Sequence, residues 1–273
     1  MDANIHEIDV AVEPTVTTVD GRTVQEWAKR DIARDEPEPL LPDSTGFTQH
    51  LRYGGPVTWS DVGRWYRGLA EGRYRLTPAV SARLAELTAD AETLEDRLRA
   101  IHRWIAQDVR YVSLSLGMGG YQPRPPDEVL ETLSGDCKDK ATLFIAMARA
   151  LGVEAYPVLT AMARIDSTVP SLRQFDHAIA AVELGGDEPI FVDLTASLIP
   201  WRSLPGGLHG GHGLVVRDDG ARLIRFDDPP ATESRLSSRV VGRLDAEGTF
   251  RGRYEESGTG LMQYSLRDAF PRR

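Results

Sequence analysis

The spacing of apolar and polar positions divides the chain into a β-rich front, a mixed middle and a β-rich rear. At the front, EIDVAVEPTVTTVDGRTVQEWA (residues 7–28) carries β-branched alternation broken at Asp20-Gly21. Both of those positions tolerate a positive φ, so the dipeptide predicts a hairpin. The Pro-rich RDEPEPLLPDSTG (34–46) predicts a loop. In VTWSDVGRWYRGLAEGRY (57–74), Ser60 or Asp61 is placed to cap a helix with Val62, Trp65, Tyr66 and Leu69 on one side. In ADAETLEDRLRAIHRWIAQDVRY (89–111), Leu94, Leu98, Ile101, Ile105 and Val109 form a helical stripe flanked by His102 and Trp104. A Gly- and Pro-rich loop follows, then a short helix from Pro126-Asp127 and a turn into Cys137. The helix that starts there runs to Leu151 and stops at Gly152.

Beyond it, VEAYPVLTAM, DHAIAAVEL and PIFVDLT predict three strands, the last two joined as a hairpin by GGDE. Four further runs, GLVVR, ARLIRF, RVVGRLD and TFRGRYEE, predict strands from Gly213 onward. No convincing repeat or low-complexity tract occurs. Two strands alone are marginal in water, and the final RDAFPRR shows no closing element. The ends are therefore expected to pack on the core or on each other, or to be pieces of larger domains, and the second expectation is favoured.

Composition narrows the function classes. The chain of 273 residues is 41% hydrophobic and 27% charged, an ordinary soluble balance. A net charge of −9 speaks against a phosphate-binding surface, so nucleic acid is not expected as a partner. No run approaches the roughly 18 apolar residues of a membrane span, and MDANIHEIDV lacks the features of a signal peptide. The cytoplasm is the default compartment, with the periplasm open if the chain is a piece of a longer protein. One cysteine excludes an internal disulfide and leaves the compartment undecided. Oligomeric state is not legible.

That cysteine, Cys137, sits in the charged turn GDCKDK before an apolar helix. A lone cysteine is more often a small buried hydrophobe. Here, however, a helix N-terminus supplies partial positive charge that favours the thiolate, and N–H groups that can hold an oxyanion. Asp136 and Asp139 oppose the thiolate, and Lys138 and Lys140 offset them. A nucleophilic thiol needs a base, and the base an orienting group. His177 opens one predicted strand, and Asp193 interrupts the apolar run of the next. The two share a face only if Asp193 pairs with an odd-numbered residue such as Ile179 or Ala181. His209 and His212 in LHGGHG lack further ligands on rigid elements and predict a loop rather than a metal site. GMGG (117–120) lacks the context of a phosphate loop and predicts a turn. No metal or cofactor is expected.

The order and spacing of GDCKDKATLFIAMARALGVEAYPVLT, FDHAIAAVEL and IFVDLTAS resemble bacterial transglutaminase-like domains, supported by RYVSL, GYQPRPPDEVL and DLT. The resemblance covers roughly residues 58–201. It implies an α+β, papain/transglutaminase-like core, with helices packed on an antiparallel sheet. By the same resemblance, Cys137 is the nucleophile, His177 the general base and acid, and Asp193 the orienter of the imidazole. The Cys137 N–H is one expected oxyanion donor, and Gln122, from a loop before the cysteine helix, is the candidate for the second. The implied organisation is 1–57 as the C-terminal part of a β-rich flanking domain, 58–204 as the catalytic core, and 205–273 as an incomplete β-rich domain. The expected function is thiol acyl transfer on amide bonds of proteins or peptides, with hydrolysis favoured over transamidation. The alternative is a catalytically idle binding or scaffold module.

Overall fold

The computed structural model describes residues 4–8, 13–34, 50–114, 116–186 and 188–270. In the front part, β1 (Asn4–Ile8), β2 (Thr15–Val19), β3 (Arg22–Glu26) and β4 (His50–Gly54) form two antiparallel pairs, β1 with β4 and β2 with β3. The β2–β3 turn is the expected one: Asp20 and Gly21 take φ of 50° and 73°, the left-handed conformation that a two-residue hairpin turn of this kind requires. The predicted loop at 34–46 lies, from residue 35 on, outside the described residues.

Helix α1 (Trp59–Ala70) starts earlier than Ser60 or Asp61 suggested. Thr58 is the cap: its hydroxyl accepts the Asp61 N–H at 3.2 Å, and the Asp61 carboxylate accepts the Thr58 N–H at 2.9 Å. This reciprocal pair satisfies two N–H groups at the helix start. Helix α2 (Pro78–Thr88) was not anticipated from the pattern. Its buried side is only Val80 and Leu84, too short a stripe to stand out, and Thr77-Pro78 at its start was the available signal. In α3 (Leu94–Asp108) the expected stripe is buried except Leu94, at the first turn.

The chain continues through β5 (Arg110–Tyr111), α4 (Pro126–Thr132), β6 (Ser134–Gly135) and α5 (Cys137–Ala150), then β7 (Ala155–Thr160), β8 (His177–Val182) and β9 (Ile190–Val192). It ends with β10 (His212–Val216), β11 (Ala221–Arg225), β12 (Leu236–Leu244), β13 (Phe250–Gly258) and α6 (Met262–Ala269). The central sheet has the order β11-β10-β7-β8-β9 and is antiparallel throughout. Helix α5 packs on β7 and β8, and α2, α3 and α4 also pack against it. Every residue from Lys138 to Ala148 is buried, which explains why this helix is apolar nearly all round rather than striped.

Two expectations about the rear are corrected. GLVVR and ARLIRF are β10 and β11, strands of the central sheet, so a boundary at 204/205 would split that sheet. Leu214 and Val215 pair with Leu159 and Val158 of β7, and burial against the core outweighs the local resemblance of this run to the strands after it. The chain also has a helix near its end: α6 packs on β13 and contains Arg267, Asp268 and Ala269 of RDAFPRR.

Helix α1 lies over β10 and β11, and Gly63 permits the close approach. A Cβ at Gly63 would stand 2.1 Å from the Ala221 Cβ. Gly63→Val is expected to push α1 off the sheet and to lower stability by about 1–3 kcal/mol, read as a reduced urea midpoint with an unchanged slope.

Candidate active site

The charged turn is consumed by its own contacts. Asp136 caps α5, accepting the Asp139 N–H at 3.3 Å, and its other oxygen pairs with the buried Lys138 ammonium. Asp139 closes the capping box by accepting the Asp136 N–H at 3.3 Å. It also holds Arg124, through the backbone N–H at 2.8 Å and Nε at 3.0 Å. Both aspartates therefore have cationic partners as well as helix N–H groups. Lys140 departs from the expected role of offsetting them. It is 1% exposed, and its ammonium donates to the Val109 carbonyl at 2.9 Å, at the C-terminal end of α3, where carbonyls lack helical partners. Burial pulls it down to about 8, opposed by the charge of Asp193. Cys137 is the first residue of α5, so its N–H has no acceptor within the helix.

The strand pairing meets the condition set by the sequence. Ala180 faces Val192, Ala181 faces Phe191 and Val182 faces Ile190. Continuing that register by one residue sets Asp193 opposite Ile179, diagonal to His177 and on its side. The His177 Nε2–H donates to Asp193 Oδ2 at 2.9 Å. The other carboxylate oxygen, Oδ1, accepts the Thr195 N–H at 2.8 Å and its hydroxyl at 2.7 Å. Asp193 is 3% exposed and needs these partners. Its burial raises it, but the bonds from His177 and Thr195 hold it below the usual carboxylate range. Because Nε2 is engaged by Asp193, Nδ1 is the nitrogen left for Cys137, which lines the same pocket as the ring.

Burial disfavours the His177 imidazolium, yet the bonds to Asp193 and Cys137 and the charges of both carry it up to about 10. The ring is therefore protonated at neutral pH and loses its proton only as pH rises towards 10. In Asp193→Asn the charge and much of the hydrogen bond go, so the titration midpoint is expected to move down towards the ordinary imidazole range of about 6.5. A ¹⁵N NMR titration of the histidine ring would read that shift. Behind the carboxylate, His102 is 4% exposed and meets the Asp193 backbone. Burial lowers it, opposed by the bond to that backbone and by the Asp193 charge.

A pocket of about 340 Å³ opens beside the thiol, lined by Cys137, His177, Tyr66, Tyr121, Leu172 and Phe175 among others. Gly117 and Gly120, from the GMGG turn, also line it. The expected turn thus also walls the pocket, and its position in the chain before the cysteine helix is the one sequence signal for that. Gln122 is not brought to the thiol. Its Nε2 donates to the Leu69 carbonyl at 3.1 Å, in the last turn of α1, where carbonyls have no helical partner. Its neighbour Tyr121 turns to the pocket and packs edge-on against Trp65, with ring centroids 5.7 Å apart. His209 contacts the carbonyls of Asp227 and Leu204 rather than His212. Among the described residues no group of three or more His, Cys, Asp or Glu is placed to hold a metal ion.

Residues 81–192 match the family model of the transglutaminase-like superfamily core. The chain therefore carries a transglutaminase-like core over that segment, and the match ends one residue before Asp193. No curated protein sequence matches the chain. Among solved structures, a candidate protease from Parabacteroides distasonis superposes with a TM-score of 0.62 at 16% identity, covering 90% of this chain and 49% of that one. The chain thus spans about half the length of that relative. A candidate cysteine protease from Cytophaga hutchinsonii aligns over 71% of this chain and 65% of its own, at 17% identity and a TM-score of 0.37. An arylamine N-acetyltransferase from Nocardia farcinica aligns over 73% and 72%, at 16% identity and a TM-score of 0.30. The first likeness shows a shared fold; the other two carry no argument. The fold is α+β with a transglutaminase-like core, as expected from the sequence. No described helix is long and apolar enough to cross a membrane.

Proposed function

We propose that the chain is a thiol acyl-transfer enzyme acting on amide bonds of proteins or peptides through a Cys137 acyl-enzyme, with water as the favoured acceptor. One arrangement carries this reading: Cys137 at the N-terminus of a buried helix, facing one pocket with a His177 ring that Asp193 holds at 2.9 Å. A thiolate beside an imidazolium is nucleophile and acid at once. Sulfur attacks the carbonyl carbon, and the carbonyl electron pair moves to oxygen. Collapse breaks the C–N bond, and the amine leaves with the His177 proton. Water then attacks the thioester, gives a proton to His177 and releases the acid with the thiolate restored. Asp193 keeps the imidazole oriented and stabilises its charge. Hydrolysis is favoured because CKDKA carries no apolar gate over the thiol, and Lys138, paired with Asp136, lines the pocket. The test is incubation with unfolded casein and its tryptic peptides, with and without dansylcadaverine, read by mass spectrometry. Cleavage or deamidation supports the reading, incorporation of the amine would reassign the acceptor, and no modification of any kind would overturn it.

A further inference from the structure

Of the residues around the pocket, the chemistry uses only Cys137 and His177, yet most of the wall is apolar. Tyr66, Tyr121, Leu159, Leu172 and Phe175 line it together with the thiol and the imidazole. Resting on the acyl-transfer reading, we propose that this pocket is a specificity subsite for the acyl donor. It takes a large apolar side chain, aromatic in preference to aliphatic, from the residue that carries the attacked carbonyl or from its neighbour. It discriminates against acidic side chains.

The walls come from four segments distant in sequence, and aromatic side chains of α1 back two of them. Tyr66 belongs to α1 itself and is 3% exposed. The Phe175 ring packs on Trp59, with centroids 5.7 Å apart, and the Trp59 Nε1–H donates to the Ser167 carbonyl at 2.9 Å. Tyr121 leans on Trp65. Gln174 fastens the segment that carries Leu172 and Phe175. Its Oε1 accepts the Asp166 N–H at 2.7 Å, and its Nε2 donates to the Asp166 and Val169 carbonyls at 3.0 and 2.7 Å. A pocket braced in this way exists before the ligand arrives, so little ordering cost opposes the burial of an apolar side chain. Aromatic walls also offer a bound ring edge-to-face contacts that an aliphatic group cannot make. The volume of about 340 Å³ accommodates one large side chain and adjoining main chain. At Gly117 a Cβ would meet nothing within 4 Å, so this side is open to an entering peptide. The charges are uneven. Lys138 is paired with Asp136, and His177 with Asp193. Asp176 also lines the pocket, exposed, and its Oδ1 accepts only the Met162 N–H, at 3.2 Å. Among the described residues no cation pairs with it, and an unpaired carboxylate here repels an acidic donor.

Two series of p-nitrophenyl esters test the subsite, N-acetyl-Xaa and N-acetyl-Xaa-Gly, with Xaa as Gly, Ala, Leu, Phe, Asn or Asp. Each acylates Cys137 by forming an S–C bond and expelling p-nitrophenolate. Each second-order rate constant is divided by that of the same ester with N-acetylcysteine, which removes differences in ester reactivity. In one of the two series Phe is expected to exceed Gly by about 10- to 100-fold, with Leu between them, and Asn to exceed its isostere Asp several-fold. In Leu172→Ala the Phe-to-Gly ratio is expected to fall, and in Asp176→Asn the Asn-to-Asp ratio to approach one. A ratio taken within one variant does not change with the fraction of chain that is folded. No preference for Phe over Gly in either series overturns the subsite, and so does a Phe-to-Gly ratio that Leu172→Ala leaves unchanged. An Asn-to-Asp ratio near one in the unaltered chain overturns the role of Asp176. In each of these cases the Gly esters still report acylation, and the acyl-transfer reading stands. If no ester, Gly included, acylates Cys137 faster than a free thiol, that reading fails and the subsite falls with it.

Discussion

Cys137→Ser is expected to lower the acyl-transfer rate by on the order of 10⁴-fold or more while leaving the fold intact. The loss is larger than a simple exchange of sulfur for oxygen suggests. In the native site His177 is raised to about 10 and holds a proton for the leaving amine. A serine hydroxyl keeps its proton and needs a base, and an imidazolium held by Asp193 is a poor one. His177→Ala is expected to cost a comparable factor, because it removes the acid that protonates the leaving amine. Residues that act as a unit do not add, so the double variant is expected to be no slower than the worse single one. Intact-mass detection of the thioester and the rate of p-nitrophenolate release check both points. Equal rates for the unaltered chain and Cys137→Ser would favour the idle binding module.

Asp139→Ala is expected to be the most destabilising single change near the site, at about 2–4 kcal/mol. The carboxylate is 4% exposed and serves the helix cap, the Arg124 backbone and the Arg124 guanidinium together. Its removal leaves the Asp136 N–H without its cap and Arg124 without its carboxylate. The Arg124 side chain is 36% exposed, so water recovers part of that loss. Asp139→Asn keeps an acceptor for the Arg124 N–H and is expected to cost less. Urea unfolding followed by circular dichroism measures both. The cap also aims Cys137, so iodoacetamide alkylation is expected to slow in Asp139→Ala even at temperatures where the chain remains folded.

Much of this protein is legible in one dimension. The stripe from Leu98 to Val109 identifies α3, and the Gly152 stop, at φ of 80°, bounds α5. The chemistry is legible where a residue contradicts its local pattern: a cysteine in a charged turn, an aspartate inside an apolar strand. Such departures from pattern require partners, which is why Cys137, His177 and Asp193 could be named together. Sequence could also state the parity that Asp193 must satisfy, because side chains in a strand alternate with period two.

The pairing of β8 with β9 then meets that parity, since register depends on the turn and on what each face packs against. The two lysines beside the thiol make the same point on a helix. Lys138 and Lys140 are two residues apart, and a helix turns by about 200° between them. One ammonium therefore pairs with Asp136 and lines the pocket, while the other enters the core to reach the end of α3. Gln122 went to an unpaired carbonyl of α1, contributed by a helix 53 residues earlier. Local periodicity established the elements and the nucleophile; partner choice among groups distant in the chain followed from how those elements pack.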